Sequence, residues 1–358
     1  MSGTGQGSGS GNTPGLNTHN GERHSIFVGL LPFFEAQALW EQISNPLVGR
    51  TDGGTTAGTL GAPGNPWVAF GPTPDQIQYP PYLTQIPTLR CPSDPGEGLP
   101  SYGRTNYAAC LGDSPFRGGV GAANNDLVRN STRAQMVRSS QRGMFVPRQE
   151  AAFRDTLDGL ANTIMAGEIA TDVGDRDTRT DPLSNNGAVT LRGENGGNPQ
   201  VPVGSPDECS SNAGIDATRP QFWSSTAMTP LSTIFAGNAV ELRGYRWASG
   251  YPVHSQVYTM FPPNSATCFQ FTNEEGTSNV FNRSGFFSTS SRHQGGAHVL
   301  MGDGAVKFIT DSIEAGDQNA TPVAQLGTGV SAPGAISPYG LWGALGTRAS
   351  KEVIEEEL

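Results

Sequence analysis

No stretch of this 358-residue chain approaches the ~18 consecutive apolar residues of a membrane-spanning helix. Charged side chains are also scarce, at 15% of the chain, whereas glycine (48 residues) and proline (27 residues) are abundant. That composition is typical of a loop-rich β protein with many turns and argues against a helical bundle. A chain of this length can bury a large core, either as two domains or as one large β-rich domain.

Basic residues are outnumbered: 22 lysines and arginines face 32 aspartates and glutamates, so the net charge is −10. A nucleic-acid partner would require a basic face, and we therefore predict no nucleic-acid binding. An acidic balance is a common solubility feature and identifies no ligand.

Closely spaced metal ligands are lacking. The four cysteines show no C-x-x-C spacing, and none of the five histidines is spaced to complete a zinc site with them. The aspartates of TDVGDRDTRTD, Asp172, Asp175 and Asp177, offer oxygen ligands for Ca²⁺. They lack the glycine and glutamate of an EF-hand, however, and Arg176 and Arg179 would oppose a cation. We therefore favour a solvated acidic loop, with a calcium site as the alternative.

The most informative segment is SRHQGGAHVLMGDGAVKFI, residues 291–309. Val299 and Met301 alternate with His298 and Leu300, and Asp303-Gly304 fits a tight two-residue turn, so we predict a β-hairpin. His293 and Asp303 could form a catalytic dyad, but at ~3.3 Å per residue a strand holds them too far apart. We expect His293 to bond a loop or the closing helix, and no serine has the Gly-x-Ser-x-Gly setting of a hydrolase.

The same segment resembles the His-x9-Asp-Gly signature of a large planctomycete pilin-like family of unknown function, the DUF1559 type. Further segments resemble motifs of that family in the expected order: HS with LLPFFEAQALWEQI (24–43), LRCPSD (89–94), NYA (106–108), DGLANTI to GE (158–168), RG, W, PPNS and C (243–268), and LWGALGTRA with EVI (341–354). The resemblance therefore covers nearly the whole chain.

The resemblance implies an α+β fold: a pilin-like antiparallel β-sheet head with large loop-rich insertions. We expect a disordered Gly/Ser-rich linker over 1–23, a globular domain over 24–350 with a variable insertion at 171–220, and a charged tail at 351–358. Members of the family normally begin with a prepilin-type anchor helix, which is missing here. Either it has been removed or this member lacks it; the Met followed at once by a low-complexity tract favours removal, because export needs a signal.

The export that the resemblance implies makes disulfides the better interpretation of the cysteines. Cys91–Cys110 and Cys209–Cys268 are the preferred pairs because local closure is the simplest topology. The other two connectivities stay open, as do free buried thiols.

The sequence predicts several regular elements: a helix over 32–44, strands over 145–153, 163–169, 243–249 and 256–260, the hairpin over 297–310, and a closing helix over 341–345. We expect Glu168, in the strand over 163–169, to point away from the core.

Motif residues outside the hairpin are predicted to be structural. They are Asp158, Gly159, Asn162, Trp247 and Arg348, and Gly304 of the hairpin turn is predicted to be structural as well. An exposed set of aromatic residues could instead stack on sugars; Trp223, Trp247 and Trp342 are candidates, although Trp247 and Trp342 are better placed in the core. Trp67, in a Pro/Gly loop, is the best candidate for exposure.

Three classes of function follow. The first is a non-enzymatic pilin- or pseudopilin-like structural subunit at the cell surface, with other pilin-like subunits or a secretion or pilus apparatus as partners. It would be exported and would meet the membrane only through the missing helix. The second is an extracellular binding module for a polysaccharide or another solute. A hydrolase ranks last, because no nucleophile–base pattern is present, and no cofactor is expected apart from the calcium alternative.

Overall fold

The computed structural model describes residues 19–98, 101–123, 127–185, 204–226, 242–270 and 284–352. Six α-helices lie in these ranges: α1 Ile26–Leu30, α2 Gln37–Ser44, α3 Ser131–Ser140, α4 Asp207–Ser210, α5 Pro252–Ser255 and α6 Gly340–Gly346. Short 3-10 helices occur at Leu31–Phe34, Pro80–Leu83, Pro87–Leu89, Phe153–Asp155, Leu160–Asn162 and Gly329–Ser331. No helix of the described residues is both long and apolar enough to cross a membrane.

Eight strands form two sheets. They are β1 Tyr107–Cys110, β2 Ile164–Glu168, β3 Leu183–Asn185, β4 Gln256–Val257, β5 Cys268–Gln270, β6 Gly285–Phe286, β7 Gly296–Met301 and β8 Val306–Thr310. The larger sheet has the order β4-β1-β2-β7-β8, and the smaller one β3-β5-β6. Helices and sheets together make the fold α+β, as predicted. Both sheets are mixed rather than antiparallel, because β4 runs parallel to β1 and β3 parallel to β5.

The chain enters the fold through α1 and α2. Ser25 begins α1, and its hydroxyl accepts a hydrogen bond from the amide of Phe27. The helix predicted over 32–44 is interrupted at Glu35, whose φ of 59° ends the 3-10 helix that follows α1. Packed backbone already begins before the predicted boundary at residue 24: Arg23 is buried, and its carbonyl accepts from the amide of Gly250.

The predicted hairpin is confirmed as β7 and β8. Its turn differs from the prediction because only Gly304 has a positive φ (95°), and the amide of Met301 donates to the carbonyl of Ala305. Asp303 instead accepts a hydrogen bond from the amide of Ala305. Four residues thus connect the strands, rather than a two-residue turn.

The large sheet has two unlike faces. On the closed face, a set of buried residues packs with Trp342 and Leu345 of α6: Ala108, Cys110, Ile164, Val257, Val299, Met301 and Ile309. On the open face, β7 and β8 present other side chains in facing pairs: His298 opposite Phe308 and Leu300 opposite Val306. The hairpin is therefore apolar on both faces, but only one face is covered by α6.

Two predicted strands are wrong for a common reason. The segment 145–153 contains Arg148 with a φ of 57°, and the segment 243–249 contains Gly244 with a φ of 70°. A positive φ interrupts the extended backbone that a strand needs. The predicted strands at 163–169 and 256–260 are present as the shorter β2 and β4, and the closing helix is present as α6.

The predicted segments at the two ends of the chain are only partly described. Residues 1–18 and 353–358 lie outside the described residues, as do 186–203 of the predicted insertion. Glu352 lies in the predicted tail, and its carboxylate accepts from the amide of Ser337 at 2.6 Å. The first part of the predicted tail is thus attached to the domain.

Candidate functional site

The cysteines divide into one disulfide and two free thiols. Cys209 and Cys268 are bonded, which confirms that predicted pair and links α4 to β5. The predicted Cys91–Cys110 bond is wrong, since both thiols are free. The amide of Cys91 bonds the side chain of Asn106, just before β1 begins, whereas Cys110 ends that strand. Four residues of strand span about 13 Å, well beyond the reach of a disulfide.

The two free thiols have different surroundings. Cys110 lies on the closed face, where burial raises its pKa to about 12. Cys91 is half-buried and lies beside the open face. A thiol buried in apolar surroundings is inert, whereas an accessible one can bind a metal or react. Cys91 is therefore the chemically available thiol of this pair.

A row of side chains crosses the open face at Glu168. Tyr107 of β1 lies opposite Glu168 of β2. One carboxylate oxygen of Glu168, Oε2, accepts two hydrogen bonds from His298 of β7, from the backbone amide at 2.8 Å and from Nδ1 at 2.9 Å. Burial, followed by the charges of Glu168 and Cys91, raises the pKa of Tyr107. Glu168 was predicted to point away from the core, but its side chain is only 7% exposed, because neighbouring strands and the loop before β7 cover it.

His293 joins this row from the loop before β7. Its Nε2 lies 3.4 Å from Oε1 of Glu168 and 3.5 Å from Sγ of Cys91. Cys91, Glu168 and His293, here called the Cys-Glu-His cluster, each offer one ligand atom, and these atoms lie within 4.8 Å of one another. The ring of His298 packs edge-on against His293, with centroids 5.2 Å apart. Cys91 and His293 lie far apart in the sequence, so the tertiary fold rather than close spacing brings this histidine to a cysteine.

Both contacts of His293 converge on one ring nitrogen. A nucleophile–histidine–acid triad uses the two nitrogens separately, one toward the nucleophile and one toward the orienting acid. Here the thiol and the carboxylate approach the same Nε2. The cluster has the convergent geometry of ligands around a common point.

Hydrogen bonds to main-chain groups hold the three segments of the cluster together. The side chain of Asn106 accepts from the amide of Cys91 (3.0 Å) and donates to the carbonyl of Ile169 (2.9 Å), next to Glu168. The amide of Ser290 donates to the carbonyl of Glu168 at 2.9 Å. The positions of the cluster's side chains therefore follow from the main-chain packing.

An apolar groove of about 970 Å³ begins at Glu168 and His298 and extends over the open face. Its walls come from three sources: the α1 region (Ile26, Phe27, Leu30, Phe34), the sheet (Met165, Leu300, Val306) and the segment before the 3-10 helix at Phe153 (Met144, Phe145, Ala151, Ala152). Glu168 is the one carboxylate among the described lining residues. The groove is thus largely apolar, although Thr88, Tyr107 and Gln149 also line it; the part beside Glu168 and His298 is here called its polar end.

The predicted structural residues connect distant parts of the chain. The carboxylate of Asp158 accepts from the amides of Ser350 and Lys351, each at 2.7 Å. The guanidinium of Arg348 donates to the carbonyls of Gln141 and Gly143. Gly159 has a φ of 94°, and the amide side chain of Asn162 donates to the carbonyl of Asp158. These contacts attach the C-terminal segment to the sheet and lie apart from the groove.

The aspartate loop contains buried ion pairs and hydrogen bonds. Asp177 accepts hydrogen bonds from Arg179 at 2.6 Å and Arg292 at 3.2 Å, and is fully buried. Asp172 is also buried, which raises its pKa, and accepts from Tyr245 and Thr180. The favoured interpretation, a solvated loop, is therefore wrong for these two residues. The calcium alternative also loses its ligands, because protein donors occupy both carboxylates; Asp175 alone is exposed.

Four of the five tryptophans are buried and do not form a sugar-binding surface. Trp67, Trp223, Trp247 and Trp342 are all at most 1% exposed. Trp247 and Trp342 lie in the core, as predicted. The indole of Trp247 donates a hydrogen bond to the carbonyl of Thr84 at 3.0 Å. Exposure of Trp67 was a wrong prediction, because Tyr79 and the backbone of Gly49 enclose its ring.

The fold and site describe an α+β protein with a groove on one face of a mixed sheet. The sequence model of a family described as a protein of unknown function, DUF1559 (SBP_bac_10), matches residues 2–316. The chain therefore belongs to the DUF1559 family. No curated protein and no solved structure matches it significantly.

Proposed function

We propose that this chain is an exported, non-enzymatic binding protein whose groove accepts the apolar part of a small solute. The observation that carries the proposal is the groove itself: its volume of about 970 Å³ lies within the range of about 300–1,000 Å³ of small-molecule sites. Such sites combine apolar walls with a few convergent polar groups. The Cys209–Cys268 disulfide supports export, since disulfides persist in oxidising compartments.

The polar end of the groove indicates which head group fits. Glu168 offers a carboxylate, and His298 lies beside it. A cationic or hydrogen-bond-donating head group would be attracted to this end, whereas an anionic one would be repelled. A polysaccharide is disfavoured, because Trp67, Trp223, Trp247 and Trp342 are buried and Trp40 is only partly exposed.

Binding of a neutral apolar dye tests the proposal. We expect saturable fluorescence of Nile red with the unmodified protein, and competition that is strongest from dodecylamine, weaker from dodecanol and weakest from dodecanoate. Leu300→Lys, which places a charge among the apolar walls, should weaken dye binding roughly tenfold or more. Ile336→Lys is the matched control, because Ile336 is 68% exposed and does not line the groove. Equal dye binding by Leu300→Lys and the unmodified protein would contradict the proposal.

A pilin- or pseudopilin-like structural subunit is the second candidate, with the groove occupied by an apolar helix of another subunit. The observation in its favour is the exposure of apolar side chains at and beside the groove: Phe33 at 81%, Phe153 at 61% and Val306 at 66%. Apolar side chains clustered on a surface are typical of protein interfaces. The first of these lies in the 3-10 helix after α1, close to where an N-terminal anchor helix of the family would join.

Photo-crosslinking in the native cells separates the two candidates. A benzoylphenylalanine in place of Phe153 should give adducts with another pilin-like or secretion protein if the structural role is right. The same substitution at Ile336 controls for random encounters, because it lies away from the groove. Equal adduct yields at the two positions would count against the structural role.

A further inference from the structure

We propose that the Cys-Glu-His cluster binds a divalent transition-metal ion, zinc above all, through Sγ of Cys91, one carboxylate oxygen of Glu168 and Nε2 of His293. This inference does not depend on the proposed function: Glu168 belongs to both the cluster and the groove, but Cys91 and His293 do not line the groove.

The two distances from Nε2 of His293 to the other ligand atoms fit one shared ion, and Sγ of Cys91 and the carboxylate of Glu168 lie within 4.8 Å of each other. Tetrahedral zinc with bonds of about 2.3 Å to sulfur and about 2.0–2.1 Å to nitrogen or oxygen separates sulfur from nitrogen by about 3.5 Å, and nitrogen from oxygen by about 3.3 Å. The corresponding separations here are 3.5 Å and 3.4 Å. The convergence of thiol and carboxylate on a single nitrogen is the arrangement that a common ion would impose.

The types of ligand select the metal. Thiolate and imidazole suit zinc and neighbouring transition metals, whereas Ca²⁺ and Mg²⁺ require an all-oxygen set. Three protein ligands leave a fourth position for water or another molecule, the pattern of zinc sites with an open position. His293 is 31% exposed, so solvent can reach that position.

The surroundings of the cluster hold its ligands in place. His298 uses both its backbone amide and Nδ1 on Oε2 of Glu168, which leaves Oε1 facing His293. A hydrogen bond of this kind fixes a ligating carboxylate, and its loss in metal sites costs about 10–100-fold in affinity. His298 is thus a positioning residue for the ligand Glu168.

Neighbouring arginines do not oppose a cation at the cluster. Arg90 precedes Cys91, but its guanidinium pairs with Asp94 at 3.2 Å and with the carbonyl of Gly96. Arg292 precedes His293, but it pairs with Asp177 at 3.2 Å. Each guanidinium is therefore paired with a carboxylate, although Arg292 shares Asp177 with Arg179.

Titration of the reduced, chelator-treated protein with Zn²⁺ and Co²⁺ tests the proposal. We expect one zinc ion per chain by calorimetry. With Co²⁺ we expect a thiolate-to-cobalt charge-transfer band and d–d bands of the intensity that indicates tetrahedral geometry. Cys91→Ser should abolish the charge-transfer band, and His293→Asn should weaken binding of both ions. His298→Gln should keep the charge-transfer band and lose about 10–100-fold in affinity.

Cys110→Ala is the matched control, because Cys110 is the other free thiol and lies on the closed face. It should leave the stoichiometry and the spectrum unchanged. Circular dichroism of every variant separates a lost ligand from a lost fold. The proposal is overturned if the folded protein binds no zinc, if Cys91→Ser retains the charge-transfer band, or if Cys91 of the protein isolated from its cells is bonded to a second chain.

Discussion

The closed and open faces of the large sheet are built from adjacent residues of the same strands, yet they differ in burial and in the reactivity of their thiols. Val299 and Met301 pack against Trp342 and are almost fully buried, whereas His298 and Leu300, one position away, border a groove. The closed face holds an inert thiol, and the open face meets a thiol within reach of a histidine and a carboxylate. Stability and chemistry are thus divided between the two faces of one sheet.

Removal of a covering side chain should distinguish the faces most strongly. Trp342→Ala deletes a fully buried indole that packs on the closed face and donates to the carbonyl of Phe261. We expect a loss of about 3–5 kcal/mol in the free energy of unfolding, measured by urea denaturation. Leu300→Ala, on the partly exposed open face, should cost below about 1 kcal/mol. Equal losses for the two variants would mean that the open face carries as much packing as the closed one.

Acid should destabilise the fold through a histidine that lies in the core rather than on the open face. Burial, followed by the charges of Arg246 and Arg243, holds the pKa of His254 well below its usual value. The unfolded chain therefore binds the proton more readily. The contribution of His254 is fully present above its unfolded pKa of about 6.5 and falls below it by up to about 1.4 kcal/mol per pH unit.

Comparison of His254→Gln with the unmodified protein isolates this contribution. The dependence of the unfolding free energy on pH below about 6.5 should be shallower in the variant, because glutamine does not titrate. Urea denaturation at a series of pH values provides the measurement. An unchanged slope would show that the folded and the unfolded chain protonate His254 equally, contrary to a lowered pKa in the fold.

Thiol labelling gives the smallest perturbation, since it requires no change in the sequence. Under native, reducing-agent-free conditions without added metal, we expect Ellman's reagent to modify Cys91 and to leave Cys110 unmodified until the protein unfolds. Loss of the fast reaction in Cys91→Ser, but not in Cys110→Ala, would assign it. If neither thiol reacted until a reductant was added, a Cys91–Cys110 disulfide would be the explanation, contrary to this structure.

Local patterns predicted much of the closed face and little of the site. The alternation of Val299 and Met301 and the turn glycine Gly304 identified the hairpin, because strand periodicity and positive φ are local properties. The strands predicted at 145–153 and 243–249 failed because single residues of positive φ, Arg148 and Gly244, interrupt them. Apolar residues occur at both alternating sets of positions in the hairpin, and this was the available sign of a groove on the second face.

The residues of the Cys-Glu-His cluster could not be grouped from their spacing. Cys91 and His293 lie 202 positions apart, and Glu168 belongs to a strand between them. Glu168 lies away from the closed face, as the strand alternation predicts, but an isolated strand does not show that His293 and His298 cover it. His298 gave no signal beyond its place in the hairpin.

The sequence by itself determined the family, the α+β class, the hairpin and the closing helix. These depend on motifs and on periodicities that adjacent residues carry. Only the tertiary structure decided that β1, β2 and β7 lie side by side, that Cys91 stays free of Cys110, and that a thiol, a carboxylate and an imidazole meet at one edge of a groove. The physical reason is that strand order depends on packing and on pairings between distant segments, which no local pattern contains.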